Sequence, residues 1–224
     1  MNAGAKTEIV FLSFDGMTLL DLVGPFEVLT MWPDATVRVA AARPGPIMPD
    51  SRSMPIIATH SLASITAADI VVVPGGPIPS EVRQLTEEVE WLRRLAPTCK
   101  RIFSVCTGAF LLAEAGLLEG RRATTHWATL EGLRAFGATP VRERWVYDGD
   151  ILTAAGVSAG IDAALHLTSV ERSELMARAI QLLIEYDPAP PAESGSPGKA
   201  SQDVLAFLTG PEGGRLSERK LRQP

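Results

Sequence analysis

The stretch from Arg101 to Gly116 leaves little freedom in how this 224-residue chain can fold. Ile102, Phe103 and Val105 form a short run of β-branched and aromatic side chains, suited to a buried strand. Ala109 to Ala115 are strong helix formers, and Gly116 supplies a stop. Between them the chain must turn abruptly, with Thr107 placed to cap the helix and Gly108 permitting close backbone approach. Cys106 stands at that join. Free N–H groups at the helix start, together with the helix dipole, favour an anion there, so a thiol pKa lowered toward the thiolate is expected. A sharp strand-to-helix turn that exposes a nucleophile is the mechanical idea of the nucleophile elbow. A buried, unreactive cysteine fits the same join, and residue type alone does not decide between the two.

The rest of the chain repeats the alternation. Glu8 to Phe14 and Asp69 to Val73 are continuous apolar runs, as expected of strands covered on both faces, and Thr36 to Ala41 reads as another strand. Asp21 to Trp32 has apolar residues at helical spacing, with Asp21 at or near the helix start as a possible N-cap. Residues 43–56 read as an irregular loop leading toward an edge hairpin near Ile56–Thr59, and Glu87 to Leu95 as a helix. Trp127 to Phe136 is helical in pattern. Val141 to Tyr147 and Ile151 to Ala155 flank Asp148-Gly149, a hairpin turn signal. Gly156 to Asp162 opens a long helix, and a further helix is expected from about Ser173 to Tyr186. These elements predict one α/β domain over residues 1–187: a three-layer sandwich with a mainly parallel central sheet between helical layers. Residues 188–224 read as a Pro/Gly/Ser-rich extension, with a possible short docked helix near Val204–Leu208 and a basic end.

A net charge of -5 does not point to a nucleic-acid-binding surface. The two cysteines, Cys99 and Cys106, provide neither a disulfide framework nor a zinc ligand set, and fit a reducing cytoplasm. Residues 1–6 lack the character of a signal peptide, and no apolar run is long enough to span a membrane.

In a sheet of this kind the active crevice lies outside the carboxyl ends of the strands. Strand order brings four candidates there: Asp21, the Gly75-Gly76 turn, Cys106-Thr107, and the Ala155-Gly156-Val157 turn. Bare N–H groups at Gly75 and Gly76 read either as an ordinary turn or as an oxyanion pocket. A thiolate beside a carboxylic acid suits addition to an electrophilic carbon, the acid delivering a proton and later activating water. A cysteine amidase wants a His beside the thiol, and here Thr107 follows Cys106. His126 is the one histidine near enough in sequence to reach. His60 reads as part of a loop, and His166 sits among the apolar residues of a helix.

Several segments resemble the ThiJ/PfpI superfamily, and within it the isonitrile (isocyanide) hydratases. They are Leu20 to Leu29, Val73-Pro74-Gly75-Gly76, Ser104 to Gly108, Gly116 to Trp127, Ala159-Gly160-Ile161-Asp162, and Glu185 to Pro191. The resemblance implies a flavodoxin-like fold of the class I glutamine amidotransferase kind. It implies Cys106 as nucleophile on the terminal carbon of R–N≡C, Asp21 as general acid/base and Thr107 orienting both. Gly75, Gly76, Val157 and His126 would line the substrate site. Glu27 would replace Asp21 only if the helix register differs. The product would be an N-substituted formamide, with no metal or cofactor, in a homodimer. AraC-type regulators carry a similar amino-terminal domain followed by a helix-turn-helix module, and only 24 residues follow Ala200 (224 − 200), so a redox or ligand sensor is the alternative, with a different cysteine hydrolase or glyoxalase of the superfamily beside it.

Overall fold

The computed structural model describes residues 6–76, 82–211 and 213. The expectations for residues 1–5 and for the basic end at 214–224 fall outside the described residues. In chain order the elements begin with β1 (Thr7–Leu12), α1 (Leu19–Leu29), β2 (Ala35–Ala41), β3 (Gly45–Ile47), β4 (Ile56–Ala58), β5 (His60–Ser61) and β6 (Ile70–Val73). There follow α2 (Thr86–Leu95), β7 (Arg101–Val105), α3 (Gly108–Glu114), β8 (Arg122–Ala123), a 3-10 segment (Trp127–Phe136) and β9 (Thr139–Pro140). The chain continues through β10 (Trp145–Asp148), β11 (Ile151–Ala154), α4 (Ala159–Glu171), α5 (Glu174–Leu183) and α6 (Gln202–Thr209).

Seven strands form one sheet in the order β10-β11-β7-β6-β1-β2-β5. Every pair is parallel except β10 with β11, the hairpin that Asp148-Gly149 closes. The four described residues of β6 and the last four of β1 and of β7 are buried, as expected of strands covered on both faces. α1 packs on α4 and α4 on α5, while α3 packs on α2 and on the 3-10 segment. This is the three-layer, mainly parallel α/β sandwich that the alternation implies.

Local differences have physical causes. The hairpin near Ile56 forms as β3 against β4. His60 lies not in a loop but in β5, at the outer edge of the sheet beside β2. The segment from Trp127 winds as a 3-10 helix and ends in the left-handed Gly137. Pro25 falls at the seventh residue of α1, where it has no N–H to donate to the carbonyl of Asp21. α6 forms over the expected residues and buries none of them.

Candidate active site

The chain leaves β1 toward β2 on one side and returns to β6 on the other. The β1/β6 boundary is therefore the topological switch point, where an open α/β sheet leaves a crevice beyond its carboxyl ends. Asp21 follows β1, Gly75 and Gly76 follow β6, Cys106 and Thr107 follow β7, and the 155–157 turn follows β11.

Cys106 takes up the whole turn by itself. Its φ is 56°, the left-handed region that costs an L-residue about 1–2 kcal/mol. The surroundings enforce this conformation. The Cys106 N–H donates to the carbonyls of Ala154, 3.1 Å, and Ala155, 2.9 Å, and the Thr125 hydroxyl donates to the Cys106 carbonyl, 2.7 Å. The residue is 6% exposed. Its sulfur faces the N–H groups of Val157 and Thr107 and the Thr107 hydroxyl. Val157 is itself held at φ 25°, unusual for a β-branched residue.

The expected lowering of the thiol pKa is not found. Burial first, and then the negative charge of Asp21, push Cys106 up to about 12, against the three donors that favour the thiolate. The helix start does act in the anticipated direction, but desolvation of an almost fully covered sulfur outweighs it. A thiolate at Cys106 is thus disfavoured beside the negative charge of Asp21.

Asp21 is fully buried in the first turn of α1. It is not an N-cap: Thr18 holds that position, without a side-chain cap bond. The Asp21 carboxylate instead accepts the Gly75 N–H at 3.0 Å. Thr107 likewise forms no side-chain cap on α3, and its hydroxyl accepts the Gly76 N–H at 2.9 Å. The two glycine donors, expected to be bare and to face the substrate, are thus spent on holding the acid and the threonine. A Cβ on Gly75 would stand 2.5 Å from the Thr107 N and 2.6 Å from its hydroxyl oxygen. One on Gly76, at φ 143°, would collide with the Gly16 carbonyl and stand 2.6 Å from the Met17 Cα. Only glycine lets this turn lie so close to both neighbours.

His126 sits beside the last turn. Its ring closes on Gly156, where a Cβ would lie 2.9 Å from Cδ2. Its Nδ1 accepts the Ala128 N–H at 3.3 Å, so the lone pair a base needs is engaged in capping the 3-10 segment. His166 stacks on Trp145, centroids 5.4 Å apart, with its pKa lowered by burial. His60 bonds the Thr59 hydroxyl at 2.8 Å. Glu27 is exposed on α1, whereas Asp21 is buried. Neither the Thr125 contact nor the strained backbone at Val157 carries a residue-type signal in the sequence. Among the described residues no group of three or more His, Cys, Asp or Glu side chains could hold a metal ion.

Comparison with known proteins agrees with this architecture. The DJ-1/PfpI family model matches residues 7–170. An isonitrile hydratase from Pseudomonas putida is 38% identical over 198 residues, 88% of this chain and 86% of that protein. The HTH-type transcriptional regulator CdhR of Pseudomonas aeruginosa is 32% identical over 159 residues, 69% of this chain but 46% of the regulator; the chain spans about half of that protein's length. The crystal structure of a ThiJ/PfpI family protein from Pseudomonas syringae superposes with a TM-score of 0.88 at 30% identity, covering 97% of this chain and 90% of that one.

Proposed function

The chain belongs to the DJ-1/PfpI family, and from that premise we propose that it hydrates isonitriles, R–N≡C, to N-substituted formamides through Cys106. The observation that carries the reading is the pairing of a buried thiol with a buried carboxylic acid whose charge reaches it, with Val157 and Thr107 donors facing the sulfur. The resemblance to the Pseudomonas putida isonitrile hydratase supports the substrate class.

The chemistry suits a thiol that holds its proton at rest. An isonitrile carbon accepts both a nucleophile and a proton, so the S–H is added across it. The Cys106 proton passes to Asp21, the sulfur attacks the terminal carbon, and Asp21 delivers the proton to that carbon. The product is a thioimidate, R–N=CH–S–Cys106. Water then attacks the same carbon, its proton taken by the Asp21 carboxylate and passed to nitrogen. The tetrahedral adduct R–NH–CH(OH)–S collapses, the C–S bond breaks, and the hydroxyl proton returns to the pair. One water is consumed and R–NH–CHO leaves. The Val157 and Thr107 donors hold the charge on sulfur as it departs. Gly75 and Gly76 act by orienting Asp21 and Thr107, and His126 by packing on the turn that carries the Val157 N–H. The two free cysteines suit a reducing compartment, the cytoplasm.

The test is ultraviolet and NMR monitoring of an aryl isonitrile incubated with the protein. The wild type should convert it to the formamide and Cys106→Ala should not. No formamide from the wild type would remove the reading. The likeness to the regulators' amino-terminal domains favours a second reading, a sensor whose Cys106 is oxidised or liganded without turnover. That reading predicts sulfinic acid formation under mild peroxide and no product in the same assay.

A further inference from the structure

A second cavity opens at the carboxyl edge of the sheet, beyond β1 and β2 and one strand away from the β1/β6 boundary. It encloses about 410 Å³, within the range of small-molecule sites. Its walls come from the segments that follow β1 and β2, from β3 and from the start of α2. Phe14, Ile47 and Leu85 supply apolar surface, and Asp15, Arg43, Glu87 and Glu88 supply charge. Asp21, Gly75, Cys106 and Thr107 are not among the residues that line it. Glu88 is 7% exposed, and a carboxylate so covered is ordinarily paired with a cation. Here the donor it meets is its own backbone N–H, and the charge that reaches it is that of Glu87, which repels. Burial first, and then Glu87, hold its carboxyl above the ordinary value.

We propose that this cavity is a binding site for a small organic amine, its ammonium group taken by Glu88 and its carbon skeleton by Phe14, Ile47 and Leu85. The charge balance selects a cation. Three carboxylates face one guanidinium and the amino end of α2, whose dipole is equivalent to about +0.5 charge, so the walls are net negative by about 1.5 charges when the acids are ionised. The acids differ in what they can offer. Asp15 already accepts the Met48 N–H at 2.8 Å, and Glu87 is exposed, where water and salt screen it. Glu88 is the buried acceptor, and an ammonium supplies hydrogen-bond donors and counter-charge together. A carboxylate ligand would add to the repulsion, and a neutral one would leave the Glu88 charge uncompensated. Among the described residues no group of three or more His, Cys, Asp or Glu could hold a metal ion, which favours an organic cation over an inorganic one. The site is independent of the chemistry at Cys106.

Benzylamine is the probe, with benzyl alcohol and benzoate as its neutral and anionic counterparts. Titrated into isotope-labelled protein near neutral pH, benzylamine should shift the amide NMR signals of Phe14, Ile47 and Glu88 saturably, and the other two compounds should bind at least tenfold more weakly. Glu88→Gln keeps the size of the side chain and an oxygen for the backbone N–H, and should weaken benzylamine at least tenfold. Ala42→Phe, which fills the cavity from one wall, should abolish binding by itself. Glu90→Gln, on the same helix but outside these walls, should bind as the wild type does. Cys106→Ala should also bind normally, so a failure of the hydration reading leaves this one standing. No saturable shift, equal binding of the three compounds, wild-type affinity in Glu88→Gln, or shifts confined to the Cys106 turn would each overturn the proposal.

Discussion

Replacing Asp21 by Asn separates the two roles assigned to this carboxyl. The amide oxygen can still accept the Gly75 N–H, now at 3.0 Å, so the turn and the fold should persist. What is lost is the proton relay and the charge. Removing a positioned general acid/base costs about 10²–10⁴ in rate, or about 3–5 kcal/mol of transition-state stabilisation. The thiol should respond in the opposite direction. The Asp21 charge is the second cause raising Cys106, after burial. Without it the thiolate is favoured and the Cys106 pKa falls from about 12, yet it stays above the ordinary cysteine value of about 8.5 because the burial is unchanged. Each unit of that fall multiplies the thiolate fraction at pH 9 by about ten. Iodoacetamide alkylation across pH 7–11, followed by mass spectrometry of the Cys106 peptide, reads the midpoint, and formamide formation reads turnover. Faster alkylation with turnover reduced at least a hundredfold is the expected pair. Turnover within threefold of wild type, or an alkylation midpoint that stays put or rises, would refute the coupling of acid and thiol.

Other substitutions probe the turns. Gly75→Ala drives a methyl against the Thr107 backbone and should cost about 2–3 kcal/mol in urea unfolding by overpacking, with turnover falling further than stability does because both glycine N–H bonds are disturbed. Cys106→Gly and Cys106→Ala both lack sulfur, but only glycine is at ease at φ 56°; the glycine variant should be the more stable by about 1 kcal/mol, and equal midpoints would show that the turn stores no strain. His126→Ala should lower stability by about 1 kcal/mol through the lost cap and keep turnover within a few-fold. A hundredfold loss would restore a histidine base.

Much of this was legible in the residues. Continuous apolar runs at Glu8–Phe14 and Asp69–Val73, and the strand-turn-helix at Cys106, dictate a buried parallel sheet, and a parallel sheet dictates where the crevice lies. Asp21, Gly75, Gly76, Thr107 and Val157 followed from that geometry together with the family resemblance. The side-chain hydrogen bonds did not. Asp21 and Thr107 look like helix caps because both stand near helix starts, yet each spends its oxygen on a glycine N–H from a loop more than 30 residues away along the chain. Residue type carries no trace of such a cross-loop bond. The thiol pKa departs from the sequence expectation for a related reason: a helix start can be read from sequence, but the degree to which neighbouring loops seal a sulfur from water cannot. The backbone strain at Val157 is not legible because φ 25° in a β-branched residue is imposed by the surrounding turn rather than by its own preference.

The proposed hydration requires a bond between the Cys106 sulfur and the isonitrile carbon. Rapid acid quench of the wild type during turnover of an aryl isonitrile, with mass spectrometry of the Cys106 peptide, should reveal an adduct equal in mass to one substrate molecule. The adduct should appear before the formamide and decay as formamide accumulates. Formamide production with an unmodified Cys106 peptide at every time point, or turnover that survives in Cys106→Ser at the wild-type rate, would contradict it.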